Sequence, residues 1–200
     1  MMISQRGESC NRCGPSDYAD ESFSGWDKVY SLNVKAMFYT TAHLHGLLTK
    51  GATADNPSHV INIASMAGVT TVDVTAGPEG GLSEPGHGTF SYGPSKAACI
   101  HLSKMLASKL MPQHVTVNAI CPGVFPSRMT AFGMGKFADT LNAGQPSGRV
   151  GKPEDFAGLV LFLSGKGSAH VTGNAIEIDG GSTLSGWRAD AKSKNPKSKI

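Results

Sequence analysis

The sequence predicts an α/β fold: a parallel sheet with crossover helices. Helical and strand-like segments alternate from residue 26 to residue 181, the pattern of such a sheet. Glycine is abundant, at 25 of 200 residues, and charged residues are sparse at 16%, which favours a compact chain with tight loops over a disordered one. Two hundred residues also suit one domain with a single core.

Residues 1–25 are polar, rich in Ser, Gly and Asp, and carry no convincing period. A helical pattern runs from residue 26 to about residue 50, with Val29, Leu32, Phe38, Ala42, Leu44 and Leu47 among its apolar positions. Residues 59–64 form a short buried-strand candidate ending at Ser65. The stretch 66–90 is expected to be a loop, and the helix after it runs from Tyr92 to about Met111, where Pro112 interrupts. Residues 115–120 are the next strand, closed by Cys121-Pro122-Gly123. Residues 124–151 are expected to be irregular, and Phe125, Met129, Phe132, Met134 and Phe137 suit either a lid over an apolar ligand or a loop packed on the core. Pro153-Glu154-Asp155 opens a helix, with proline and acids in its first turn. Residues 174–178 are the last strand, turned by Asp179-Gly180-Gly181. The organisation predicted is an irregular segment over 1–25, an α/β domain over 26–186 and a basic tail over 187–200.

Tyr92 and Lys96 open the helix that organises the chain. Four residues apart, they share one helical face. An ammonium beside a phenol favours phenolate and pulls the phenol down from its reference value of about 10. Reaching neutral pH requires about 4 kcal/mol of differential stabilisation, which a water-poor cleft can supply. Taken alone, the spacing also occurs on amphipathic helices with a solvated lysine, so the flanking segments decide.

Composition excludes several classes. The net charge is +3, but residues 187–200 hold Arg188 and four lysines against Asp190, so the remainder of the chain sums to −1. Basicity confined to a tail argues against a nucleic-acid module. No apolar run reaches the roughly 20 residues that span a bilayer, and the first residues lack a signal-peptide stretch, so a cytoplasmic protein without membrane contact is expected. Cys99 and Cys121 read as small core residues, and Cys10-x-x-Cys13 lacks the second pair of a zinc ribbon. No metal site is expected. The chain ends Ser198-Lys199-Ile200, one branched isomer away from a peroxisomal address, which makes peroxisomes the alternative location.

Several segments in order resemble the short-chain dehydrogenase/reductase family. They are Asn33-Val34-Lys35-Ala36-Met37-Phe38, Asn62-Ile63-Ala64-Ser65, Tyr92-x-x-x-Lys96, Asn118-Ala119-Ile120-Cys121-Pro122-Gly123, Arg149-x-Gly151-x-Pro153-Glu154-Asp155 and Ile178-Asp179-Gly180-Gly181. The resemblance covers about residues 26 to 181 and implies a Rossmann-type, doubly wound parallel sheet. By that resemblance Tyr92 is the proton donor or acceptor, Ser65 holds the substrate oxygen, and Lys96 lowers the Tyr92 pKa and bonds the nicotinamide ribose. Asn33 sits where the family kinks its helix and holds a relay water; Phe125 and Ser127 meet the nicotinamide end; Asn118 is structural. The implied activity is NAD(P)-dependent interconversion of a ketone and a secondary alcohol on a small or acyl-type apolar substrate. NADP is favoured over NAD by the resemblance only, and a homo-oligomer, dimer or tetramer, is the implied assembly.

The chain departs from the family at its start. No Thr-Gly-x-x-x-Gly-x-Gly segment is present, and only Asn11-Arg12-Cys13-Gly14 faintly resembles the family's Asn-Asn-Ala-Gly. The Rossmann sheet is therefore expected to be incomplete on its N-terminal side. Extra residues within 72–88 lengthen the gap between Ser65 and Tyr92 and reshape the substrate mouth. A catalytically silent fragment, retaining substrate-side and interface elements, is the competing reading.

Overall fold

A computed structural model describes residues 2–3, 23–71, 82 and 90–185. Four parallel strands lie side by side in chain order: β1 (Met2–Ile3), β2 (Ser58–Ile63), β3 (Val115–Pro122) and β4 (Ala175–Ile178). β2 and β3 pair in register from Ser58 opposite Val115 to Ile63 opposite Ile120, and β4 joins with Ala175 opposite Ala119. β1 is a two-residue strand, Met2 opposite Ile61 and Ile3 opposite Asn62. Only three strands are longer than that, so the described sheet is an incomplete Rossmann-type sheet, thin on the β1 side as expected.

β3 is buried along its whole length except at Pro122, as a strand covered on both faces must be. On one face Val60, Ala64, Val115, Val117, Ala119 and Cys121 meet α4 (Tyr92–Leu110). On the other, Ile61, Ile120, Ile63, Ile176 and Ile178 meet α7 (Pro153–Leu163) through Phe156, Leu159, Val160 and Leu163. Helices on both faces make the sheet doubly wound. Asn118 interrupts the apolar run of β3 without an orphaned group: its Nδ2 donates to the Val171 carbonyl at 2.7 Å and its Oδ1 accepts the Asn174 N–H at 3.1 Å. It pins the chain entering β4, the structural role expected of it.

The first helical region starts at Phe23 rather than residue 26 and is not one helix. α1 (Phe23–Tyr30), α2 (Ala36–His43) and α3 (His45–Thr49) are separated by a π-helical turn at Ser31–Lys35 and a break at Leu44. The π turn swells around Asn33, which is buried and donates from Nδ2 to Ser95 Oγ on α4 at 3.0 Å. A mid-helix π turn of this kind is the kink that the resemblance implied.

Residues 124–151 are not wholly irregular. Two six-residue helices form, α5 (Ala131–Lys136) and α6 (Ala138–Ala143). Gly133 and Gly135 hide the helical period there, and helices this short depend on packing rather than propensity. Four residues, α8 (Ser182–Ser185), close the described chain.

Arg149 and Asp155 brace the start of α7. The guanidinium bonds both carboxylate oxygens, at 2.6 and 3.0 Å, while the Lys152 N–H donates to Oδ2 at 2.8 Å. The Arg149 bonds, with that backbone N–H, hold the Asp155 carboxyl at about 2, below its ordinary 3.8. A lowered folded value means stabilisation that is present above about pH 4 and lost as pH falls toward 2. Arg149→Gln should therefore flatten the fall in melting temperature between pH 4 and pH 2. Identical slopes for wild type and variant would show that the pair does not hold the carboxyl down.

Candidate active site

The site forms where β2 and β3 end together. The Ala64 N–H donates to the Ile120 carbonyl at 2.8 Å, continuing the ladder by one residue. Ser65 then caps a 3-10 turn, Met66–Gly68, its Oγ accepting the Ala67 N–H at 3.1 Å. This turn lies directly on the first turns of α4. A Cβ at Gly68 would stand 2.6 Å from the Lys96 carbonyl carbon and 2.7 Å from the Ala97 nitrogen, and one at Gly93 would stand 3.1 Å from the Ala67 oxygen. Two backbones therefore touch at glycines, and the Ser65 side chain comes within hydrogen-bonding reach of the Tyr92 phenol.

Lys96 is 2% exposed, so it is not the solvated lysine of an ordinary amphipathic helix. Its Nζ donates to the Ile63 carbonyl at 2.9 Å and stands 5.5 Å from the centre of the Tyr92 ring. Asn33 joins from the other side through Ser95, whose Oγ accepts from Asn33 Nδ2 and donates to the Tyr92 carbonyl at 2.7 Å. Asn33 Oδ1 is buried with no hydrogen-bond partner among the described residues. The tertiary structure thus gathers Ser65, Tyr92, Lys96 and Asn33 from three separate elements.

The electrostatics correct one expectation. Burial pushes the Tyr92 phenol above its ordinary 10, and the hydrogen bond with Ser65 offsets this only in part. Burial also lowers the Lys96 ammonium, whose charge is directed at the Ile63 carbonyl. Desolvation is the largest influence on both groups. A phenol held neutral in the fold adds stability that is complete below pH 10 and declines as pH rises beyond it. In an ultraviolet titration of the chain, the signal lost in Tyr92→Phe should ionise above pH 10; a component ionising near pH 7 would restore the lowered phenol.

Phe125 and Ser127 occupy the turn after β3. The Phe125 ring packs on Gly151 and meets Phe156 edge-on at 5.9 Å, so it is directed toward α7. Ser127 is exposed and exchanges bonds with Thr130, whose Oγ1 accepts the Ser127 N–H at 2.9 Å and donates to the Phe125 carbonyl at 2.6 Å. A cavity of about 360 Å³ beside Phe125 is lined by Arg149, Gly151, Asp155 and Asp179, and none of Ser65, Tyr92 and Lys96 borders it. Sequence reading missed Ser95, Thr130 and Gly68. Ser95 lies within the Tyr92–Lys96 interval, but nothing in that spacing shows that it bridges to Asn33.

Cys99 and Cys121 are buried, and burial pushes their thiols up to about 11 and about 12. Cys10 and Cys13, residues 72–81 and 83–89, and the tail 187–200 lie outside the described residues. Among the described residues no group of three or more His, Cys, Asp or Glu side chains is placed to hold a metal ion, and no helix is long and apolar enough to cross a membrane.

A parallel sheet layered by helices on both faces, with its candidate site beyond the C-terminal strand ends, is the Rossmann-type doubly wound architecture. The profile of the Enoyl-(Acyl carrier protein) reductase family matches residues 9–183, beginning upstream of the residue 26 expected and taking in Asn11–Gly14. The chain belongs to the short-chain dehydrogenase/reductase family. It is similar to a rhamnolipids biosynthesis 3-oxoacyl-(acyl-carrier-protein) reductase of Pseudomonas aeruginosa, 43% identical over 79% of this chain and 57% of that protein. A (3R)-3-hydroxyacyl-CoA dehydrogenase of Homo sapiens is 31% identical over 78% of this chain and 53% of its own length. A solved Pseudomonas aeruginosa RhlG/NADP active-site complex superposes with a TM-score of 0.73 at 40% identity, covering 87% of this chain and 65% of that one. The chain spans about half to three fifths of the length of the curated relatives it matches.

Proposed function

We propose that the chain is an NADP- or NAD-dependent oxidoreductase that interconverts a ketone and a secondary alcohol on a small or acyl-type apolar substrate, the competing reading being a catalytically silent fragment that retains substrate-side and interface elements. The observation that carries the reading is the buried contact of Ser65, Tyr92 and Lys96 at the strand ends. The relatives named for 3-oxoacyl and 3-hydroxyacyl compounds support the substrate class, and the NADP complex supports the cofactor.

The described residues fit the nicotinamide half of such a cofactor. Lys96 is a buried cation, with the Ile63 carbonyl its hydrogen-bond acceptor. A ribose hydroxyl would complete its shell, with Tyr92 beside it; Ser127, on the turn after β3, is the further nicotinamide contact that the resemblance implies. Bound nicotinamide supplies the hydride. Ser65 donates a hydrogen bond to the carbonyl oxygen as charge develops there, and Tyr92 gives up its proton to the same oxygen. Lys96 stabilises the phenolate left behind, and a cofactor covering the site would strengthen that attraction by excluding water. Asn33, tied to the Tyr92 carbonyl through Ser95, holds the helix start in place and would order a relay water.

A homo-oligomer belongs to the same reading. Tyr39 and Leu47 on the first helical region and Met105 on α4 are exposed apolar side chains, Leu47 at 70%. The cytoplasm is the location we assign, with the Ser198-Lys199-Ile200 ending as a competing peroxisomal address. The decisive experiment titrates the purified chain with NADPH and then follows its oxidation with a 3-oxoacyl thioester. Saturable binding with turnover supports the oxidoreductase; no binding and no turnover assigns the chain to the silent reading.

A further inference from the structure

Arg149-x-Gly151-x-Pro153-Glu154-Asp155 is a motif to which the proposed reaction gives no chemical role. Its glycine is tied to the turn after β3. The Gly151 N–H donates to the Val124 carbonyl at 2.9 Å. A Cβ at Gly151 would overlap three carbons at the far end of the Phe125 ring, so the ring tip fills the space that a side chain at 151 would take. Gly151 is not among the glycines with a left-handed φ, so what it supplies here is space and not backbone freedom. On another side the ring meets Phe156 edge-on at 5.9 Å. The Phe125 backbone is held as well. Its carbonyl accepts from Thr130 Oγ1 at 2.6 Å, and the same hydroxyl oxygen accepts the Ser127 N–H at 2.9 Å. Thr130 is buried, so water does not compete for these bonds. One connected path therefore runs from Gly151 through Phe125 and Thr130 to the Ser127 amide.

We propose that Gly151 is a positioning residue: the space it leaves seats the Phe125 ring, and the seated ring fixes the turn that presents Ser127 to the nicotinamide end of the cofactor. The overlapped atoms belong to the free end of a side chain, which torsions can swing away, unlike the backbone that faces Gly68. The ring also borders the cavity of about 360 Å³, which gives a displaced ring somewhere to go. Filling the space at 151 should therefore leave the fold standing and release the turn. Ser127 is exposed, so once the ring lets go only the Thr130 bonds hold it. The inference rests on the proposed function in naming nicotinamide as the group that Ser127 meets; the seating of the ring stands on packing alone.

The test combines amide hydrogen exchange with a titration by reduced nicotinamide mononucleotide, both on the purified chain. Gly151→Ala should speed exchange of the Ser127 amide about tenfold and raise Kd for the mononucleotide about tenfold. Phe125→Leu lacks the three overlapped carbons. Adding Gly151→Ala to Phe125→Leu should therefore change exchange and Kd by less than about twofold, because the two positions act through one contact. Unchanged Ser127 exchange in Gly151→Ala, or equal effects of Gly151→Ala in both backgrounds, overturns the proposal. Should Gly151→Ala fail to fold, the double variant decides: a folded double variant supports the seat, and an unfolded one overturns it. No mononucleotide binding by the wild-type chain, alongside the expected exchange pattern, removes the proposed function and leaves the seat. Binding that Gly151→Ala does not alter removes the positioning role and leaves the function.

Discussion

Tyr92→Phe is expected to lower kcat for ketone reduction about 100- to 10,000-fold while KM and NADPH affinity stay within about twofold. Phenylalanine keeps the ring, which is 8% exposed and stands 5.5 Å from the Lys96 ammonium, and removes only the hydroxyl. That hydroxyl is the group in contact with Ser65 and the proton source in the proposed reaction. Its loss is felt in the transition state and not in binding, so the effect belongs in kcat. The residual rate should lose its alkaline limb in a pH profile, because the ionising phenol is gone. Steady-state kinetics in a full-length context supply the check, and wild-type turnover in the variant there would remove Tyr92 from the reaction.

Gly68→Ala should cost about 2–3 kcal/mol of stability, a fall of about 4–12 °C in melting temperature for a chain of this size. The added methyl meets the Lys96 and Ala97 backbone at 2.6 to 2.9 Å, and backbone atoms cannot rotate away as a side chain can. The Ser65 turn must therefore lift from α4, which separates Ser65 from Tyr92 and should lower kcat as well. Gly46→Ala is the matched control. Nothing lies within 4 Å of its new Cβ, and it sits in a helix, so the same methyl should be neutral or stabilising by up to about 1 kcal/mol. Equal melting temperatures for Gly68→Ala and wild type would mean that the turn and helix are not in backbone contact.

Much of this protein was legible as local pattern. The three longer strands, α4 and α7 follow from short apolar runs, from helical spacing and from Pro153-Glu154-Asp155, and each lies within a few residues of its predicted place. Those signals are visible because burial imposes composition on the strand itself, along nearly all of β3 and over part of β2 and β4. Ser65, Tyr92 and Lys96 were legible for a related reason: their chemistry is unusual at a strand end and a helix start, and their order matches a family.

What the linear chain could not decide was anything set by a partner distant in sequence. The π turn at Asn33 exists because its amide reaches Ser95, 62 residues away. α5 and α6 exist because Leu82, Val124 and Val150 give them something to pack on, and their glycines erase the period that would announce them. Phe125 reads equally well as a cofactor contact or a core residue in the sequence, and only the fold shows its half-buried ring packed on Gly151 and Phe156 while it borders the cavity. The largest reversal concerns Tyr92. Spacing correctly placed the ammonium on the same helical face, but the sign of the pKa shift depends on how much water the fold removes. The sequence by itself determined that Tyr92 and Lys96 share a helical face; the tertiary structure decided the direction in which each pKa moves, because desolvation is a property of the whole enclosure and not of any pair within it.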